Sequence, residues 1–107
     1  MSFNFKARYR LYIDDIRDPK TSGWVIVRSS KDAINMMSEK GCPALISFDH
    51  DLGGEDTAMK VVKWMIEFDM NACGDFIPQN FEFIVHSANP VGSKNITGLL
   101  GGYLKVR

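Results

Sequence analysis

Short apolar runs along the chain predict β-strands. They lie at residues 10–13 (RLYI), 24–27 (WVIV), 44–48 (ALISF) and 81–87 (FEFIVHS). The second run is rich in β-branched residues, which favours a strand. The third is apolar with little alternation, which is typical of a strand covered on both faces.

Segments with helical character follow the later strands. Residues 29–41 predict a helix that begins at a serine cap and ends at Gly41. Residues 56–68 carry apolar side chains at i, i+3, i+4 and i+7 spacing, and predict a second helix capped by Asp56. Residues 91–104 predict a last helix, weakened by its glycines.

Strands that alternate with helices predict a three-layer α/β fold, in which helices cover both faces of a truncated parallel sheet of about four strands. The first connection is unusual. Only about ten residues, including Pro19 and Gly23, separate the first two strands, which is short for a helical crossover. We expect a loop or one helical turn there, within a single domain spanning residues 1–107.

The composition of the chain limits which partners and which cellular compartment we expect. Thirteen basic side chains balance thirteen acidic ones, so nucleic-acid binding would require a local patch. Cys42 and Cys73 lack metal-type spacing and predict reduced thiols. No apolar run approaches the roughly 20 residues that span a bilayer, and the start lacks a signal-peptide core. We therefore expect a cytoplasmic protein without a membrane partner.

Two features offer contacts to a nucleic acid. Lys6, Arg8 and Arg10 alternate on the approach to the first strand, which indicates a solvated charged face, with contact to an RNA backbone as the alternative. Most aromatic residues are expected in the core. Trp24 opens a strand and is the best candidate for partial exposure and base stacking.

Polar residues gather where the strands end. In open α/β sheets, ligands bind outside the carboxyl ends of the strands, so these residues should share one rim. Several carboxylates buried together cost free energy unless a cation, a proton or an arginine neutralises them. This favours a functional site. The rim residues are Asp14, Asp15, Arg17, Asp49, His50, Asp51, His86, Ser87 and Asn89.

Each of these features alone also has a structural explanation. Asp14 and Asp15 could simply begin a loop, and residues 49–54 could form a turn with a glycine at positive φ. His86 could be a structural histidine at a strand end. Arg28 could be a surface charge or an anion clamp, since a guanidinium fork suits phosphate. Their convergence on one rim favours function.

Three segments, YIDDIRDP (12–19), SFDHDLGG (47–54) and HSANPVG (86–92), resemble motifs of the cyclic-phosphate-processing receiver domains. The resemblance spans residues 8 to 104. Members occur in bacteria and in large tailed phages, where one is a modifier of suppressor transfer RNA. The resemblance implies a receiver-like (CheY-like) sheet that processes cyclic phosphate ends of RNA or tRNA, in the host cytoplasm if the chain is phage-encoded.

The resemblance also assigns positions. Asp14 and Asp15 match the acidic pair of ordinary receivers, Asp49 matches their phosphoacceptor, and Ser87 matches the hydroxyl residue after their fourth strand. The positions that match what is distinctive of the cyclic-phosphate group are His50, Asp51, His86 and Asn89.

The chain departs from ordinary receivers at its end. They have a fifth strand that ends in a lysine, whereas Lys94 and Lys105 follow no fifth strand here. This departure makes phosphorelay signalling through a phosphorylated Asp49 the least favoured hypothesis.

Opening a 2′,3′-cyclic phosphate requires a proton to leave water and another to reach the leaving sugar oxygen. His50 and His86 are predicted to form the acid/base pair, with Asp51 or Asp49 orienting a ring. The residues predicted to bind phosphate oxygens are Arg17, Arg28, Ser87 and Asn89.

A metal-assisted mechanism stays open. Asp14, Asp15 and Asp49 form an oxygen-rich set that suits Mg²⁺, whereas His50 and His86 would suit a transition metal. The predicted cofactor is thus Mg²⁺, another divalent cation or none. The alternative to catalysis is a receiver-like module that binds an RNA end or a protein partner. A further alternative is a domain that binds phosphate with the help of a metal. The substrate is expected to be an RNA end or a cyclic nucleotide.

Overall fold

The structure is a computed structural model that describes residues 9–107, so Lys6 and Arg8 lie outside the described residues. The strands are β1 (Arg10–Ile13), β2 (Trp24–Val27), β3 (Leu45–Phe48) and β4 (Glu82–Val85). The helices are α1 (Ser30–Lys40), α2 (Met59–Asn71) and α3 (Pro90–Ile96), and α3 continues through a π-helical turn (Thr97–Gly101) into α4 (Gly102–Val106). Within residues 9–107, no helix has the length and apolar character to cross a bilayer.

The four strands form one parallel sheet in the order β2-β1-β3-β4. Ile13 pairs with both Val27 and Phe48, and Phe48 pairs with Val85, so the strands end at the same level. The residues that follow therefore share one edge of the sheet. This order is that of a receiver-like sheet with its first four strands, and it confirms the predicted fold class.

The helices pack on one face of this sheet, where the prediction had helices on both. The core joins strand residues such as Leu11 and Phe48 to Met65 of α2 and Ile96 of α3. Right-handed crossovers from β2 to β3 and from β3 to β4 run in the same direction, which places α1 and α2 on the same side. The β1–β2 connection runs in the opposite direction and would carry a helix to the other face.

That first connection contains no helix among residues 14–23, as its length and its proline and glycine predicted. The second face of the sheet consequently has no helix over it within the described part of the chain. Ile26 and Ile84, which point to this face, are 39% and 52% exposed. Its central position, Ser47, is nevertheless buried.

The ends of α1 confirm the predicted caps, whereas the predicted cap of α2 is wrong. Ser29 caps α1 by accepting a hydrogen bond from the Asp32 backbone, and Gly41 ends it at φ 85°. α2 begins after Ala58 without a side-chain cap. Asp56 instead accepts hydrogen bonds from the backbone N–H (2.9 Å) and the hydroxyl (2.5 Å) of Ser30. The carboxylate thus tethers the loop after β3 to the first turn of α1.

A buried carboxylate holds the C-terminal end of the chain. Asp69 accepts hydrogen bonds from the backbone of Phe76 (3.0 Å) and Ile77 (2.7 Å), from the hydroxyl of Tyr103 (2.6 Å) and from Arg107 (3.0 Å). Burial acts to raise the pKa of Asp69, but these hydrogen bonds outweigh it and the pKa lies below its usual value. Burial and Asp69 together raise the pKa of Tyr103 to about 12.

We expect Asp69→Asn to lower the free energy of unfolding by about 3–5 kcal/mol near pH 7, because Arg107 would lose its buried counter-charge. A lowered native pKa means that the advantage of the wild type is present above the ordinary aspartate pKa of about 3.9 and disappears as the pH falls through the native value. Urea unfolding between pH 7 and pH 2 measures both effects.

The control is Asp75→Asn, a substitution at an exposed aspartate. It should alter the free energy of unfolding by no more than about 0.5 kcal/mol. If the difference in the free energy of unfolding between the wild type and Asp69→Asn stayed constant down to pH 2, the lowered pKa of Asp69 would be contradicted.

Candidate functional site

A cluster of carboxylates lies at the edge of the sheet where β1 and β3 end. Asp14, Asp15 and Asp49 each contribute one carboxylate oxygen, and these oxygens lie within 4.8 Å of one another. Asp14 is fully buried and Asp49 nearly so. The turn after β1 fixes the Asp14 side chain, because its Oδ1 accepts hydrogen bonds from the backbone of Ile16 (3.0 Å) and Arg17 (2.8 Å).

The two buried carboxylates differ in their electrostatic environments. Burial acts to raise the pKa of Asp14, but the backbone N–H groups of Arg17 and Ile16 and the His86 ring outweigh it, so the pKa is lowered. Burial, and then the negative charge of Asp14, raise the pKa of Asp49 above its usual value. A cation at the cluster would favour the ionised form of Asp49.

A polar cavity of about 210 Å³ opens beside this cluster. It brings together carboxylates from the ends of two strands with a guanidinium, a hydroxyl and an amide, which are the groups predicted around a phosphate. The lining residues are Asp15, Ile16, Arg17, Asp49, Asp51, Ser87, Ala88 and Asn89. Most of the predicted site residues therefore meet in one place, whereas Asp14, Arg28, His50 and His86 are outside this lining.

His86 lies behind the carboxylate cluster. Its Nε2 is 3.0 Å from Oδ2 of Asp14, and its Nδ1 is 2.6 Å from the hydroxyl of Ser47. Because a carboxylate only accepts, Nε2 carries a hydrogen and donates it to Asp14. The imidazole stacks on Tyr12, with 4.4 Å between ring centres and 7° between planes. Both ring nitrogens are thus engaged with the protein, on the face of the sheet that has no helix over it within residues 9–107, which we call the open face.

His50 occupies the other side of the sheet edge, against helix α3. Its Nδ1 is 2.9 Å from Oδ1 of Asp51, and Oδ2 of Asp51 accepts a hydrogen bond from the Asn89 amide at 3.3 Å. These hydrogen bonds, that from His50 first, lower the pKa of Asp51. Oδ1 of Asn89 accepts from the backbone of Gly92 and so caps α3. The His50 ring lies directly against Gly92.

The sequence predicted the two imidazoles as a pair across one phosphate, and the structure joins each of them to a different aspartate. His86 binds Asp14 on the open face, and His50 binds Asp51 on the helical face. Neither ring lines the 210 Å³ cavity. Of the two carboxylates predicted to orient a ring, Asp51 is the one that holds His50.

Arg28 braces a loop and lies outside the cavity. Its Nη1 donates to the backbone carbonyls of Arg17 (2.6 Å) and Asp14 (3.2 Å), and its Nη2 pairs with Asp18 at 2.5 Å. Because these donors already serve the loop, the guanidinium is not placed as the predicted phosphate clamp. It instead fixes the turn from which Asp15 and Arg17 reach the cavity.

Sequence reasoning missed three residues that set the histidine positions. Ser47 and Tyr12 hold His86, and Gly92 leaves space for His50. Ser47 carried a usable signal, since it is the polar residue within an otherwise apolar strand and would need a hydrogen-bond partner when buried. From the sequence alone, Gly92 indicates only a weaker last helix.

Comparison with known proteins shows the family. A model of the family described as the cyclic-phosphate processing receiver domain matches residues 9–102. The matched range includes every residue that lines the cavity, both histidines and the side chains that hold them. No curated protein and no solved structure is similar enough to count as a match.

We expect Gly92→Ala to displace the His50 ring. A Cβ built at Gly92 would lie 2.7 Å from Nδ1 of His50 and even closer to its Cγ. Such overpacking should lower the free energy of unfolding by about 1–3 kcal/mol. It should also move the NMR resonances of the His50 ring.

The control is Gly98→Ala in the same helical run, where a Cβ meets no atom within 4 Å. Alanine there should stabilise the protein by up to about 1 kcal/mol. Unchanged stability and unchanged His50 resonances in Gly92→Ala would refute the close contact.

Proposed function

The chain belongs to the family of cyclic-phosphate processing receiver domains, and on this premise we propose that it hydrolyses 2′,3′-cyclic phosphate ends of RNA, transfer RNA included. The observation that carries the proposal is the cavity in which carboxylates for a cation stand beside groups that bind phosphate oxygens. Cation and phosphate pair naturally, because the metal neutralises the charge that develops on the phosphorus oxygens.

Asp14, Asp15 and Asp49 would hold the divalent cation. The set contains only oxygen donors, which fits Mg²⁺ or Mn²⁺ better than a soft metal. Burial and the negative charge of Asp14 raise the pKa of Asp49, so its ionised form is disfavoured. A bound cation would favour that ionised form again. The cation would supply charge neutralisation at the phosphate.

Arg17, Ser87 and Asn89 would hold the phosphate oxygens. All three line the cavity: Arg17 and Asn89 offer N–H donors, and Ser87 offers a hydroxyl that otherwise donates to Asp49. Asn89 is fixed by its hydrogen bonds to Asp51 and to the first turn of α3, and Arg17 sits on the loop that Arg28 braces. Donors fixed before the substrate binds cost little reorganisation during the reaction.

His50 lies outside the cavity lining but is held by Asp51, which is part of it, and would act as the general base on a water at the edge of the cavity. Asp51 accepts from Nδ1, so the hydrogen of a neutral ring lies on Nδ1 and the lone pair lies on Nε2. Nε2 would take a proton from the attacking water, whose oxygen forms a bond to phosphorus as one ring ester bond breaks. The leaving sugar oxygen then takes up a proton, which the His50 imidazolium or a solvent water would supply.

The predicted pair left open which imidazole is the acid, and His86 would fill that role only by exchanging its hydrogen bond to Asp14 or Ser47 for one to the substrate. In the arrangement described, it acts as a positioning residue that orients the Asp14 carboxylate within the cation cluster.

A second candidate is a module that binds phosphate ends without turning them over. The absence of both histidines from the cavity lining favours it. The same cation and phosphate donors would then hold an RNA end or a phosphorylated partner. Binding without release of any product would identify this alternative.

We expect the wild type to bind Mg²⁺ or Mn²⁺, and Asp15→Asn to weaken that binding about 10-fold or more, because ligand charge sets the affinity of such sites. Asp15 is only partly buried, so the variant should fold. Isothermal titration calorimetry measures the affinity, with Asp75→Asn as a control that removes an exposed carboxylate elsewhere. No binding by the wild type at millimolar metal would exclude the cation site.

We expect hydrolysis of cytidine 2′,3′-cyclic phosphate to require a divalent ion and to stop with a chelator. His50→Ala should lower kcat by about 10²–10⁴-fold, the usual contribution of a general base, while the affinity for the metal stays unchanged. His86→Ala should weaken metal binding as well, through Asp14. Full activity in both variants would rule out imidazole acid–base catalysis.

A further inference from the structure

We propose that the groove beside the cavity holds the terminal nucleoside and that Lys94 binds the next phosphate of the chain, so that an oligonucleotide end is preferred over a mononucleotide. The inference rests on the proposed function, because it begins from a phosphate in the 210 Å³ cavity. The groove has a volume of about 630 Å³ and is lined by Ser87, Ala88, Pro90, Val91, Ser93 and Lys94.

The groove adjoins the 210 Å³ cavity. Ser87 and Ala88 line both spaces, so the two lie side by side. The smaller cavity is polar and of a size for a phosphate group with its cation. In a 2′,3′-cyclic phosphate the phosphorus closes a ring on the ribose itself, so the sugar must lie immediately beside the phosphate. The groove is where that sugar and its base would extend.

The lining of the groove suits a nucleoside. Pro90 and Val91 present apolar surface to it, and Val91 is 67% exposed without a covering group among the described residues. Ser87 and Ser93 provide hydroxyls on the same lining. An apolar wall with a few polar groups is the common composition of small-ligand sites, whose volumes run from about 300 to 1,000 Å³.

Lys94 gives the groove its charge. Within residues 9–107 no carboxylate pairs with its ammonium, in contrast to Lys60, which lies 3.6 Å from Asp56. An ammonium binds phosphate as a point charge. A mononucleotide whose single phosphate fills the cavity leaves Lys94 without an anion. An RNA end offers it the phosphate on the 5′ side of the terminal nucleoside.

The opposite side of the cluster is less suited to the nucleoside. There the His86 ring, stacked on Tyr12 and hydrogen-bonded to Asp14, occupies the approach to the open face of the sheet. A ligand that left the cavity in that direction would have to displace this ring.

The test compares the equilibrium binding of two ligands that the enzyme cannot open, cytidine 3′-phosphate and the dinucleotide CpCp that ends in a 3′-phosphate. The wild type should bind the dinucleotide roughly 10-fold more tightly, the ratio expected for one added charged contact. Lys94→Gln should abolish this ratio and leave the affinity for cytidine 3′-phosphate unchanged. The salt dependence for the dinucleotide should weaken by a slope of about 0.7.

The matched control is Lys105→Gln, which removes the same charge from an exposed position near the end of the same helical run, outside the groove. It should keep the dinucleotide preference. Circular dichroism on each variant confirms that its fold and thermal stability match the wild type.

The outcomes separate the groove from the catalytic proposal. Three results would overturn the role of the groove. The wild type could bind the two ligands equally, it could bind neither, or the preference for the dinucleotide could survive in Lys94→Gln. Hydrolysis of cytidine 2′,3′-cyclic phosphate alongside any of these results leaves the proposed function standing. A Lys94-dependent preference without any turnover supports the groove and contradicts hydrolysis.

Discussion

The buried carboxylate of Asp14 constrains the architecture of this edge of the sheet. A carboxylate out of contact with water must be fully hydrogen-bonded, because an unpaired buried charge costs several kcal/mol. Here the turn after β1 supplies two backbone donors and β4 supplies His86, while Arg28 holds the Asp14 carbonyl. A single side chain thus fixes the loop that carries Arg17 and the residue that follows β4.

The short β1–β2 connection also determines the surroundings of the site. Because it carries no helix, one face of the sheet is covered by helices and the other, among the described residues, is not. The carboxylate cluster lies at the edge between them. Ser47 and Tyr12 fix His86 on the open face, and α3 fixes His50 on the helical face. The two imidazoles at this edge of the sheet therefore acquire different partners.

The residues around the cavity form a connected network that reaches into a helix. Asn89 caps α3 and donates to Asp51, and Asp51 holds His50. The ring in turn requires a glycine in the first turn of that helix. The helix that positions His50 also carries Lys94, so the proposed chemistry and the proposed recognition of the RNA chain share one rigid support.

The sequence by itself determined the strands, the ends of α1 and the gathering of polar residues at one edge, because apolar runs and caps are local signals and parallel strands place their carboxyl ends at the same edge of a sheet. The motifs also identified the family. Only the tertiary structure decided which atoms meet. Asp14 and His86 are 72 positions apart, so no periodicity could pair them. Asp56 lies just before α2, but its partner, Ser30, belongs to α1, so the local pattern predicts the wrong cap. Side-chain partners follow from packing between elements, which local patterns do not record.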